Sequence, residues 1–130
     1  MKQPRAAMDY ARALAEAALD RKAERVVVLD VSGLTSFTEA FVIASGTSDR
    51  HVRAVADAVV ERAAALGREP LGVEGLEGGE WVLIDLDEVV VHVFQGEKRE
   101  HYDLERLWAD APATWLEAAP GGAAQRRSAP

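Results

Sequence analysis

Two carboxylates two residues apart, Asp85 and Asp87, close an apolar run, Trp81-Val82-Leu83-Ile84. On an extended strand, residues i and i+2 share a face, so the pair could grip one magnesium ion and serve phosphoryl transfer. The competing reading is an acidic hairpin turn with Asp87-Glu88 in solvent, a common use of such residues. The metal site would also need a third carboxylate and a phosphate cradle, and the turn is favoured. Gly46-Thr47-Ser48 stands at a strand-to-helix junction, where backbone amides could hold an anion. It lacks the further glycines of a dinucleotide motif and the lysine of a P-loop, so a turn with a helix N-cap is favoured there.

The histidines, His51, His92 and His101, include no pair at the i, i+4 spacing of a zinc helix. His92 alternates with Val91 and Val93 and is expected to face away from the core. The serines have no nucleophile-elbow context, and the chain has no cysteine, which excludes disulfides, thiolate zinc sites and cysteine nucleophiles. The residues thus assign no catalytic group, no metal ligand and no cofactor.

The elements that would position these residues follow from hydrophobic patterning. Ala7, Tyr10, Ala11, Leu14 and Ala18 form one helical stripe across 6–22. Val26 to Val31 and Ala40 to Ser45 read as buried strands. Ser48 caps a second helix whose apolar residues Val52, Val55, Ala56, Val59, Ala63 and Leu66 recur at three and four, with Gly67 as the stop. Leu71-Gly72-Val73 is a short third strand. Trp81 to Asp85 and Val89 to Phe94 form an antiparallel hairpin, ended by Gly96, and a short helix starts near Asp103. The fold class is α/β, a single mixed sheet of about five strands with helices packed on it. The second strand, second helix and third strand are expected to form a right-handed βαβ unit. Residues 1–111 read as one domain and residues 112–130 as a disordered tail.

Alternation divides the hairpin. With Val82, Ile84, Val89, Val91 and Val93 toward the helices, Trp81, Leu83, Asp85, Val90, His92 and Phe94 face the other way. Aromatic anchors with a few polar groups are typical of interfaces. The helices in view are too few to hide every apolar residue of the hairpin, so a partner protein is expected on this face, the alternatives being a third helix or a second copy of the chain. The formal net charge of −7 disfavours nucleic acid, DNA included, and favours a basic protein partner. No segment approaches the roughly 20 apolar residues of a membrane span, and the charged N-terminus lacks a secretory apolar run, so a cytoplasmic location is expected.

Five stretches carry a resemblance. They are Phe41 to Val52, Pro70 to Gly75, Gly79 to Asp85, Val89 to Phe94, and Arg99 to Trp108. Taken in order, the chain resembles the ribosomal silencing factor family, also called Iojap-like. The resemblance implies a fold like that of nucleotidyltransferases without their active-site pattern, and no enzymatic activity. It implies binding to the large ribosomal subunit through that subunit's protein fourteen, a block on joining with the small subunit, and repression of translation when nutrients are short. Large-subunit assembly is a related role in the family, and a metal-dependent nucleotidyltransferase-like enzyme is the alternative from the residues alone. By motif position the implied contact residues are Trp81, Asp85, His92, Glu97, Arg99 and Tyr102. Two departures stand out. Asp87-Glu88 replaces a Gly-Asp turn, which puts the hairpin geometry in question. Phe37 to Phe41 also lacks the Asp-Tyr pair common before the second strand.

Overall fold

The computed structural model describes residues 4–118 and 124–127. Helix α1 spans Pro4–Asp20, followed by β1 (Glu24–Asp30), β2 (Ala40–Gly46) and α2 (Asp49–Ala65). Then come β3 (Gly72–Glu74), β4 (Trp81–Asp85), β5 (Val89–Gln95), α3 (Gly96–Tyr102), α4 (Leu104–Leu107), β6 (Ala113–Ala118) and β7 (Ala124–Arg127). The described strands form one mixed sheet in the order β3-β4-β5-β2-β1-β6-β7. Among the described residues only β2 and β5 run parallel, and the other neighbours are antiparallel.

Two expectations change here. The crossover from β2 through α2 ends on β5, not on β3, which lies beyond β4 at the edge. The reason is burial: β5 is apolar on both faces and suits the sheet centre, whereas every residue of β3 is exposed. The sheet also has two strands more than expected. Part of the segment read as a tail pairs through β6 with β1, where Leu116 joins the helix-side core, and β7 adds to β6. The remainder of that tail, 119–123 and 128–130, lies outside the described residues.

Helices α1 and α2 cover one face. Ala7, Ala11, Leu14 and Ala18 of α1, Val52, Val55 and Val59 of α2, and Val82, Ile84, Val89, Val91 and Val93 of the hairpin are fully buried. Ser48 caps α2, its Oγ accepting the His51 N–H at 3.1 Å, and Gly67 ends it at φ 79°. The opposite face carries a second core of Val27, Leu29, Val31, Phe41, Ile43, Phe94 and Ala111, with Trp81, Trp108 and Trp115 against it. That face is therefore not bare: α3, α4 and the residues after them lie over part of it.

Candidate functional site

The β4–β5 turn decides the fate of the carboxylate pair. Asp87 sits at φ 71°, Leu86 N–H donates to the Val89 carbonyl at 2.9 Å, and Asp85 Oδ1 accepts the Asp87 N–H at 2.9 Å. The chain has left the strand at Asp87, so the two carboxylates do not share a strand face. Asp85 closes the turn locally, and Asp87 takes the left-handed conformation that a glycine would adopt without strain. The hairpin stays short despite the missing glycine.

The second candidate is equally occupied from within. Thr47 N–H donates to His51 Nδ1 at 2.8 Å, and His51 Nε2 meets the Arg21 carbonyl at 2.7 Å. The ring thus accepts at Nδ1 and donates at Nε2, tying the start of α2 to the end of α1. Gly46 serves close packing: a Cβ there would lie 2.8 Å from Val52 Cγ2 and 2.9 Å from Val52 N. The amides that might have met an anion face the chain's own side chains.

The aromatic residues do converge. Register places Trp81 opposite Phe94 and Leu83 opposite His92, while β2 brings Ile43 beside His92. Trp81 stacks on Phe94 with centroids 5.0 Å apart at 25°, and Tyr102 of α3 comes to 4.5 Å from the Trp81 ring. Trp81 Nε1–H donates to His92 Nδ1 at 3.1 Å. Phe41 stands edge-on to both His92 and Trp108, with centroids 5.1 Å apart in each case. Phe94 and His92 are buried, Trp81 is half-buried, and Tyr102 is 44% exposed. The outcome is a graded patch: an apolar floor, a fixed indole at the rim, and a phenol reaching solvent.

Electrostatics separates the polar members. Burial holds the pKa of His92 at about 4, so the ring is neutral near pH 7 and can accept the indole proton. His92 Nε2 is buried with no hydrogen-bond partner among the described residues. Arg99, 1% exposed, is the buried residue of α3. Its Nη1 donates to the Arg25 carbonyl and to Ser45 Oγ at 2.9 Å, and its Nε donates to Glu105 Oε1 at 3.1 Å. Burial lowers its pKa while Glu105 works to raise it. The guanidinium thus ties α3 to β1, β2 and α4.

The six expected contact residues divide accordingly. Trp81, His92 and Tyr102 share one cluster. Asp85 is half-buried at the far end of β4, and Glu97 is exposed in the first turn of α3. His92 and Arg99, expected by motif position as contact residues, are both buried in the free chain, with His92 bonded to Trp81 and Arg99 to Arg25, Ser45 and Glu105. Sequence reasoning passed over Phe41, Ser45, Glu105 and Trp108. Phe41 alternates correctly along β2 and was visible in principle; the other three are set by tertiary contacts with no local signal.

Among the described residues no helix is long and apolar enough to cross a membrane, and no group of three or more His, Asp or Glu converges as a metal site. Comparison with known proteins gives a consistent result. A family model described as "Ribosomal silencing factor during starvation" matches residues 4–130. A ribosomal silencing factor of Halalkalibacterium halodurans is 45% identical over 98 residues, covering 75% of this chain and 84% of that one. A crystal structure of a Chromobacterium violaceum protein superposes with a TM-score of 0.77 at 39% identity, covering 78% of this chain and 85% of that one. A mouse protein named for mitochondrial assembly of the ribosomal large subunit is 35% identical over 89 residues, covering 66% of this chain and 39% of its own length.

Proposed function

The chain belongs to the ribosomal silencing factor family, and from that premise we propose that it binds the large ribosomal subunit through that subunit's protein fourteen. Bound there, it blocks joining with the small subunit and represses translation when nutrients are limiting, acting in the cytoplasm. The observation that carries this reading is the Trp81–Tyr102 patch. A stacked indole fixed by a hydrogen bond and an exposed phenol beside it have little freedom left to lose on docking. The formal charge of −7 suits a basic ribosomal protein and repels bare RNA.

The test is a joining assay. Purified large and small subunits are mixed with excess protein and sedimented, and the joined fraction is expected to fall. Tyr102→Ala removes a partly exposed ring and should weaken binding to the large subunit by about 1–2 kcal/mol, with far-ultraviolet circular dichroism unchanged. Undiminished joining at saturating protein overturns the proposal; unchanged affinity of the Tyr102 variant moves the interface off this patch.

A second reading, assistance in assembling the large subunit, is favoured by the printed name of the mouse relative. Gradient profiles of cells lacking the protein separate the two. Precursor large subunits accumulating during rapid growth support assembly, whereas excess joined ribosomes in starvation support silencing.

A further inference from the structure

The patch leaves unused a strongly acidic and partly apolar sheet edge. Between Glu69 and Glu88 the chain has seven Asp and Glu and no Lys or Arg, which equals its entire formal net charge of −7. The rest of the chain is balanced. Of this set, Glu74 lies in β3 and Glu69 and Glu77 flank it in sequence, while Glu80 pairs with Lys98 and Glu88 with Arg68; among the described residues β3 pairs only with β4 and leaves its other edge open. Gly72–Glu74 is exposed throughout, and Leu71, Val73 and Leu76 are 73%, 39% and 37% exposed. Among the described residues no cation forms an ion pair with the carboxylates of Glu69, Glu74 or Glu77, although Arg53 Nη1 donates to the Glu77 main-chain carbonyl at 3.2 Å.

The edge is also preformed. Gly75 turns the chain at φ 84°, where a Cβ would fall 1.9 Å from the Trp81 carbonyl oxygen, and Gly79 N–H donates back to the Gly75 carbonyl at 3.1 Å. Leu71 N–H donates to the Asp85 carbonyl at 2.8 Å. β3 is therefore fastened to β4 at its Leu71 end and closed at its other end by a turn that packs against the Trp81 carbonyl. A fixed edge with exposed apolar side chains offers main-chain hydrogen bonds to an added strand at low ordering cost.

The geometry points to the open edge of β3 as a docking strand for an extended, basic segment of a partner protein. The segment adds antiparallel or parallel to Leu71–Gly75, its apolar side chains meet Leu71 and Val73, and its lysines or arginines meet Glu69, Glu74 and Glu77. Charge selects this occupant. Two copies of the edge would bring like-charged rows together, and a nucleic acid would meet the same repulsion. Edge strands are commonly guarded by lysine, which would repel a basic strand; here the guards are carboxylates, which invite one. The inference goes beyond the ribosomal reading and is independent of it.

The test uses the full chain and no ribosomal component. Two synthetic peptides of about ten residues are titrated, one alternating lysine with valine and the other glutamate with valine, following backbone amides by NMR. The basic peptide is expected to bind, with shifts concentrated at 71–75 and an affinity that falls as salt rises. The double variant Glu74→Lys, Glu77→Lys, altered only at exposed positions, should weaken it about tenfold or more. Equal binding of both peptides, shifts centred on the helices, or an affinity indifferent to the charge reversal overturns the proposal. So does concentration-dependent dimerisation mapping to the same amides, which would assign the edge to a second copy.

Discussion

Replacing His92 with glutamine should flatten the acid dependence of stability. The neutral ring lies inside the second core, where burial moves its pKa from 6.5 to about 4. The folded protein therefore resists a proton that the unfolded chain accepts. Stability from this source is complete above pH 6.5, declines as pH falls toward 4, and loses nothing further below that. At about 1.36 kcal/mol per pH unit, the accumulated loss is about 2 kcal/mol at pH 5 and about 3 kcal/mol at pH 4. Glutamine offers its side-chain carbonyl to Trp81 Nε1–H and does not titrate, so the comparison isolates the proton. Urea unfolding of both proteins at pH 7.5 and pH 5 is the measurement. The wild type should lose about 2 kcal/mol more than His92→Gln between the two conditions. Carboxylates contribute to both curves and cancel in the difference. Parallel losses would show that the ring is already accessible to protons and that the enclosed aromatic face is misdescribed.

Arg99→Met should destabilise the chain by about 3 kcal/mol, because the Arg25 carbonyl, Ser45 Oγ and Glu105 all lose a charged donor while partial exposure of Glu105 limits the damage. Arg99→Lys should recover only part of that, since an ammonium cannot reproduce the planar fork, and a calorimetric Tm series checks both. The same variants should weaken docking beyond their effect on stability, because α3 carries Tyr102. In the opposite direction, Asp87→Gly should stabilise by about 0.5–1 kcal/mol by relieving the left-handed backbone at φ 71°, read from the urea midpoint at constant slope. A loss there would mean that the Asp87 side chain makes a contact worth more than the strain.

How far the sequence carried depends on which signal each element left. Helix α2 was legible because Ser48, the three-and-four apolar spacing and Gly67 agree. The division of the hairpin was legible too, since alternation in β4 and β5 assigns Val82, Ile84, Val91 and Val93 to one core and Phe94 to the other. Helix α3 was hidden because Glu97-Lys98-Arg99-Glu100-His101 has no apolar stripe: its inward residue is an arginine, which patterning assigns to solvent. Strand β6 was hidden because its short run after Pro112 shows little apolar alternation before its contact with β1 exists. Without these elements in view the cover of the aromatic face stays open between a partner, a third helix and a second copy, and the burial of His92 and Arg99 is invisible. The partner of β2 was misassigned for a related reason: chain order suggested β3, while burial on both faces favours β5.

His92 and Arg99, both buried, fasten the aromatic residues at the rim. An isolated tryptophan at a strand end gives up rotamer freedom when it docks, and a tyrosine on a seven-residue helix gives up more, because so short a helix has little stability of its own. His92 removes the first loss by holding the indole nitrogen, and it can do so only while neutral, which burial ensures. Arg99 removes the second by fastening α3 to two strands and to α4. Their burial is costly by itself, since each carries an ionisable group into an apolar region. That cost is offset by the Arg99 contacts in one case and by neutrality in the other. A bare apolar face would bind without such devices, but it would also bind indiscriminately. Rigid aromatic groups at the rim, backed by groups that tolerate only one arrangement, restrict what can fit. On this argument the energetics of docking should depend on Arg99 and His92 through the positions they give Tyr102 and Trp81, and a double-mutant cycle between Arg99 and Tyr102 should give a coupling of about 0.5 kcal/mol or more. Strict additivity would mean that α3 is ordered without Arg99.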